Sequence, residues 1–275
     1  MRKPVRRVIA IHDLCGFGRA ALMNIIPILS YKGIETCPVP PMVLSSHTGG
    51  FDKIAIQNLK GFMEKNLEQW KEIRFHADCI FTGYLGGIEE GEITKKFIKE
   101  LKDNDTLVVV DPVFGDDNEL YPNMDIRMVD LMKELIEYSD IITPNYTEAN
   151  FLVNKKPIQN PTKEDIKDLV EKLKELNIKK CIVTSVPSED KLMTIYFDKN
   201  NQNYEYVINE KCQTSFIGTG DIFASALVAN LLNDNSFSES VDKAVRFVVE
   251  CIKYSSKFDY DRREGILLEN CLHLL

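Results

Sequence analysis

The strongest constraint in this chain is a regular alternation between short β-branched runs and longer stretches with apolar residues at helical spacing. The strand-like runs are 8–12, 35–39, 79–82, 107–111, 141–143, 180–184, 192–197 and 204–208. Helical patterns cover 20–30, 53–73, 90–102, 126–138, 163–176, 220–232 and 238–256. Strand then helix, repeated, predicts a mainly parallel sheet with helices on both faces, because each parallel connection must cross over the sheet. A run such as LVVVDP is apolar almost throughout, as a strand buried on both faces requires. No helical segment separates 192–197 from 204–208, so that pair predicts an antiparallel hairpin turning around 198–201. The chain has 275 residues, 44% of them hydrophobic, with no repeat, low-complexity tract or linker, so one α/β domain over 1–275 is expected.

Composition removes several function classes. A formal charge of -8 argues against nucleic acid or an anionic membrane as partner, since both want a basic face. The seven cysteines are odd in number and scattered, no C-x-x-C occurs, and there are only four histidines. Neither a zinc site nor a disulfide framework is expected. The basic start MRKPVRR is followed by an apolar run too short for a signal peptide, and no run approaches the roughly 18 apolar residues of a membrane span. A soluble, cytoplasmic protein is expected.

Ligands of open parallel sheets bind beyond the carboxyl ends of the strands. Five strands here run into polar or glycine-rich segments: IHDLCGFG, FTGYLGG, VVVDPVFGD, IITPNYTE and IVTS. Two common nucleotide signatures fail. The nearest G-x-x-x-x-G frame, Gly86 to Gly91, is followed by Glu92 and lacks the phosphate-binding lysine. Gly16-Phe17-Gly18 begins several residues after its strand, so the tight strand-to-helix turn of a dinucleotide fold is lost. By contrast, Gly218-Thr219-Gly220-Asp221 opens an apolar helical run. Glycines there let successive N–H groups converge on one point, and a helix start adds unpaired donors and a positive dipole end. Such a hole stabilises charge on a transferred phosphoryl group. Asp221 can take a proton from an attacking hydroxyl, although aspartate is also a favoured helix cap. Asp111, Asp116 and Asp117 follow one buried strand, and Asn145 and Glu148 the next. Oxygen ligands of this kind hold Mg2+ through waters and nucleotide phosphates.

The GTGD segment, with N-x-x-E upstream, resembles the ribokinase-like superfamily of small-molecule kinases. SSHTGG (45–50), TGYLG (82–86), DPVFGDDNELY (111–121) and TPNYTEANFL (143–152), in that order, resemble the pyridoxal (vitamin B6) kinases within it. The likeness runs from residue 8 to about residue 231. It implies a three-layer α/β/α sandwich with no separate lid domain, acting as a homodimer. ATP and Mg2+ would be the cosubstrates, with a place for a monovalent cation such as K+. Residue by residue, it implies Asp221 as catalytic base and Gly218, Thr219 and Gly220 as the anion hole. Asp111, Asp116 and Glu148 would surround metal and phosphates, and Thr143, Asn145, Thr184 and Ser185 would line the nucleotide. Thr48, Gly49 and Tyr84 would surround the substrate ring, Tyr84 offering it a flat face. The implied reaction is phosphorylation of the 5′-hydroxymethyl group of pyridoxal, pyridoxamine or pyridoxine.

One departure bears on the substrate. Pyridoxal kinases carry Ser in an I-Q-S sequence where this chain has Ile11-His12-Asp13, and Asp13 before Gly16 is similar to the S-D-P-S-G-G segment of hydroxymethylpyrimidine kinases. A hydroxymethylpyrimidine kinase is therefore the alternative enzyme, and a catalytically silent B6-binding protein the alternative from another class. An ionised aspartate only accepts hydrogen bonds, so Asp13 is expected at the ring edge, favouring an amine-bearing vitamer over the aldehyde.

Overall fold

A computed structural model describes residues 5–122, 124–201, 203–212 and 215–275, which leaves the basic start at 1–4 outside the described residues. Eight strands form the central sheet: β1 (Arg6–Ile11), β2 (Ile34–Pro38), β3 (Cys79–Thr82), β4 (Leu107–Val110), β5 (Ile141–Ile142), β6 (Lys180–Ser188), β7 (Lys191–Asp198) and β8 (Glu205–Glu210). Their order is β8-β7-β6-β5-β4-β3-β1-β2. From β2 to β6 every pairing is parallel, and β6-β7-β8 is an antiparallel meander. The expected hairpin is the β7–β8 pair.

Helices α1 (Leu22–Tyr31), α7 (Thr219–Leu232) and α8 (Phe237–Ser255) cover one face. The other carries α2 (Lys60–Glu72), α3 (Ile88–Leu101), α4 (Arg127–Ile136), α5 (Tyr146–Leu152) and α6 (Lys163–Glu175). The three-layer architecture follows from how the strands divide their side chains. In β4, Val108 and Val110 enter one core and Val109 the other, all fully buried. Successive residues of a strand point to opposite faces, so an all-apolar strand needs cover on both. Helix α7 is apolar on nearly every side because it lies between the sheet and its neighbours α1 and α8.

Three pieces of the structure depart from the sequence pattern. The helix expected over 53–73 begins only at Lys60, and Ile56–Asn58 instead joins Leu14–Cys15 and Met42–Leu44 in a small three-stranded sheet. Helix α5 was not apparent in the pattern, being seven residues long. Residues 115–120 form a hairpin, Gly115–Asp116 against Glu119–Leu120. Asp117 and Asn118 turn it with φ of 48° and 68°, the paired left-handed geometry of a type I′ turn, which Asp and Asn tolerate.

The packing of the α2–α3 side can be tested at Phe97, fully buried and edge-on to Trp70 at 6.1 Å. Phe97→Ala should destabilise the fold by about 3–5 kcal/mol, the usual cost of an aromatic cavity. Trp70 is the only tryptophan, so its fluorescence in a urea titration reads the change directly. A loss below about 1 kcal/mol would mean that this side is not close-packed.

Candidate active site

Four of the five polar segments predicted at strand ends lie at the carboxyl ends of β1, β3, β4 and β5, along one edge of the parallel sheet, and the fifth, at 182–185, falls at a bulge within β6, which continues to Ser188. Asp221 reaches this edge from the first turn of α7 and is 9% exposed. Its Oδ2 accepts the Ala21 N–H at 2.6 Å, and its Oδ1 lies 3.0 Å from His12 Nε2. The other ring nitrogen of His12 lies 2.7 Å from Asp13 Oδ1. One imidazole thus bridges two carboxylates. Burial alone would push the His12 ring down. Asp221 and Asp13 outweigh it and raise the ring to about 10 from an ordinary 6.5, so both nitrogens carry protons and donate. Tyr84 N lies 3.3 Å from the same Nε2, but a ring nitrogen that donates to Asp221 has no lone pair to accept it. The ring fits because residue 83 is glycine: a Cβ there would stand 2.0 Å from His12 Cδ2.

The start of α7 has the form expected of an anion hole. Gly218 is its N-cap with φ 81°, and a Cβ there would lie 2.4 Å from the Arg19 carbonyl oxygen. The first N–H to bond back into the helix is that of Ile222, to Gly218 O at 3.1 Å. The N–H groups of Thr219, Gly220 and Asp221 precede it, and Gly220 is exposed. Asn24 ties this start to the loop before α1, its Nδ2 donating to Arg19 O at 2.9 Å and Gly218 O at 3.3 Å. Ala21, the N-cap of α1, has φ 57° without being glycine. Such backbone persists only where its surroundings hold it, and here its N–H is held by Asp221.

Across the edge, Asp111 is buried at the end of β4 and its Oδ1 accepts from Thr143 Oγ1 at 2.8 Å. Burial raises its carboxyl to about 7; Thr143 and His12 oppose this and Asp221 adds to it. Asp116 is exposed on the 115–120 hairpin, where its Oδ1 accepts the Asp117 N–H at 2.8 Å. Thr184 is half-buried and Ser185 exposed, in a bulge of β6 where Ser185 has φ 58°. Thr184 also bridges to Asn145.

Two further expected site residues are held by other groups of the protein. Glu148 and Asn145 form a capping box on α5: Asn145 Oδ1 accepts the Glu148 N–H, and Glu148 Oε2 the Asn145 N–H, both at 2.9 Å. Glu148 Oε1 takes Phe114 N at 3.0 Å and Gly115 N at 3.4 Å. With these backbone donors the buried carboxylate joins the segments that follow β4 and β5. Burial, and then Asp111, hold its carboxyl well above the usual carboxylate range. Among the described residues no three of His, Cys, Asp and Glu gather closely enough to hold a metal alone. Asp111 and Asp116 still suit an ion held through waters and phosphates. Asp13 is the second. It is 5% exposed, with one oxygen on His12 and the other accepting from Cys15 Sγ at 3.2 Å. Its carboxylate is paired with His12, as a buried charge must be paired where it lies.

Tyr84, Ile217 and Ile54 pack on a small apolar cluster of Cys15, Ala20, Ala21, Met42 and Leu44, which meets Asp221 at Ala21. Thr48 is exposed and Gly49 half-buried on the loop at 45–50. That loop closes around His47, whose Nδ1 accepts the Gly49 N–H at 3.1 Å and whose Nε2–H donates to Arg263 O at 2.5 Å. Sequence reasoning gave no role to His12, Asn24 or Arg263. Only His12, directly after an apolar strand, carried a visible signal.

Residues 60–265 match the phosphomethylpyrimidine kinase family, well over half of the chain. The chain belongs to that family. The pyridoxal kinase of Dictyostelium discoideum is 29% identical over 240 residues, covering 82% of this chain and 78% of that protein. The hydroxymethylpyrimidine/phosphomethylpyrimidine kinase of Aquifex aeolicus is 25% identical over 243 residues, covering 88% and 85%. A Bacteroides thetaiotaomicron protein, provisionally assigned as a phosphomethylpyrimidine kinase and solved with pyridoxal, is 36% identical with a TM-score of 0.93, covering 98% of this chain and 95% of that one. The α/β fold of this chain is thus that of its family, and its activity is that of a kinase in the pyridoxal and hydroxymethylpyrimidine kinase group.

The bridged imidazole gives the structure a pH signature. A ring raised from 6.5 to about 10 on folding stabilises the fold fully below 6.5, and that contribution is lost as pH rises through about 10. The stability difference between wild type and His12→Gln should therefore narrow over that window in urea titrations. A difference independent of pH would mean that the folded ring is neutral. At the helix start, Gly218→Ala should cost at least about 1–2 kcal/mol for the left-handed backbone alone, with loss of activity. A variant as stable and active as wild type would show that the Gly218–Arg19 approach is not needed.

Proposed function

We propose that this protein is an ATP-dependent kinase that phosphorylates the 5′-hydroxymethyl group of pyridoxal, pyridoxamine or pyridoxine. The observation that carries the reading is Asp221, a buried carboxylate at the start of α7 that holds the N–H of Ala21, itself part of the apolar cluster on which Tyr84 and Ile217 pack. A flat ring laid on Tyr84 and Ile217 presents its hydroxymethyl arm to Asp221. Asp221 accepts the hydroxyl proton as the oxygen attacks the γ-phosphorus. Negative charge on the transferred group is met by the N–H groups of Thr219 and Gly220 and by the dipole of α7. Thr143 and Asn145, after β5, with Thr184 and Ser185, at the bulge of β6, form the nucleotide side. Mg2+, held by Asp111, Asp116 and Glu148 through waters and phosphates, would supply further charge neutralisation, with K+ as an optional companion. The whole chain acts as one kinase domain, working as a cytoplasmic homodimer.

The pyridoxal in the Bacteroides protein supports a B6 ring as acceptor. The family match and the Aquifex relative support hydroxymethylpyrimidine as the second reading. A panel of the three vitamers and hydroxymethylpyrimidine, with ATP and Mg2+, separates them. The vitamers should have the higher kcat/KM; a pyrimidine preference reverses the order of the readings, and turnover of neither sinks both. Asp221→Asn should lower kcat by about 10²–10⁴, the usual contribution of a general base. A near wild-type rate would reduce Asp221 to a helix-start contact.

A further inference from the structure

We infer that His12 and Asp13 form a positioning pair that fixes the carboxylate of Asp221 for its reaction. Two contacts of 2.7 and 3.0 Å link Asp13, His12 and Asp221 in a row. The ring is 2% exposed and fits only because Gly83 lacks a Cβ. Asp13 is fixed in turn by the Cys15 thiol on its other oxygen. The row resembles a nucleophile–base–orienter arrangement with its outer member replaced by a carboxylate, so the reacting group is Asp221 itself. Its Oδ1 is held by the ring and its Oδ2 by the Ala21 N–H at 2.6 Å. With both oxygens held, the side chain cannot rotate about its terminal bond, and the lone pairs left over have a fixed direction. The charged groups around the ring are Asp13 after β1, Asp221 on α7 and, further off, Asp111 after β4. The imidazolium is the buried cation among these carboxylates. It gives Asp221 an orientation and a counter-charge that the substrate need not supply.

This inference rests on the proposed role of Asp221, so its test separates the two. The variants are His12→Gln and Asp13→Asn, each alone and each combined with Asp221→Asn. Alone, His12→Gln should lower kcat on the order of 10²-fold, the effect of a misplaced reacting group. KM for ATP and for the vitamer should stay within about threefold, because both side chains are buried and turned to each other and to Asp221. In the Asp221→Asn background the same change should cost less than about twofold, since groups that act through one another are not additive. Equal losses in both backgrounds, or a loss carried by KM, would overturn the inference. Asp13→Asn keeps the size and one acceptor, and repeats the comparison if His12→Gln fails to fold. Ring ¹⁵N spectra of the intact protein give a reading without activity. Both nitrogens should be protonated at neutral pH in wild type, and Asp13→Asn should shift them; a neutral ring in wild type would overturn the pairing. If wild type phosphorylates no acceptor, the proposed function falls, and the spectra alone decide the pairing.

Discussion

Two buried carboxylates share one imidazole, and much of the site depends on that. Asp13 belongs to the end of β1 and Asp221 to the start of α7, so the His12 bridge joins the sheet to the helix layer. Ionised carboxylates in a water-poor interior are costly unless paired and hydrogen-bonded. The ring supplies the charge, while Cys15 and the Ala21 N–H supply further donors. Removing the ring leaves two buried acids facing each other. The same contact orients the start of α7, because Asp221 grips the backbone of the α1 N-cap and Asn24 spans the two loops. Orientation of the helix start and orientation of the reacting carboxylate are therefore one property.

The electrostatics of the edge are arranged by distance from the helix start. Next to it lies a carboxylate with a fixed cation. Farther along β4, Asp111 has a carboxyl raised to about 7 by burial, so a nearby cation would favour its charged form. Beyond that, Glu148 is bound by backbone N–H groups of two segments and fixes the 114–115 turn against α5. Acids that look equivalent in the sequence thus divide by their partners: Asp221 and Asp13 share an imidazole, Asp111 accepts from Thr143, and Glu148 takes backbone N–H groups. The division follows from which donors each side chain can reach.

The sheet was largely legible because its strands are continuous apolar runs, which only a doubly covered sheet can bury. Helices with a long apolar stripe were legible for the same reason. The small sheet was not: Ile56–Asn58 is exposed throughout, and three residues carry no period. Nor was α5, whose start N-x-x-E is at once a capping box and a nucleotide-site pattern. The helix start at Gly218 and Asp221 was readable from glycine spacing and the apolar run behind it. The role of His12 was not, because its partner lies 209 positions away and the space for its ring is made by Gly83. The pairing of Asp13 with that ring was hidden for the same reason. A carboxylate at a strand end looks free until its neighbour in space is known.

The central claim is that an acceptor hydroxyl is presented to Asp221 at the start of α7. A crystal structure of the protein with pyridoxal and a non-hydrolysable ATP analogue tests it most directly. The account predicts the 5′-hydroxyl oxygen within hydrogen-bond reach of an Asp221 carboxylate oxygen, about 2.6–3.2 Å, with the γ-phosphate against the N–H groups of Thr219 and Gly220. A ring bound away from Tyr84, or a γ-phosphate remote from the start of α7, would contradict it.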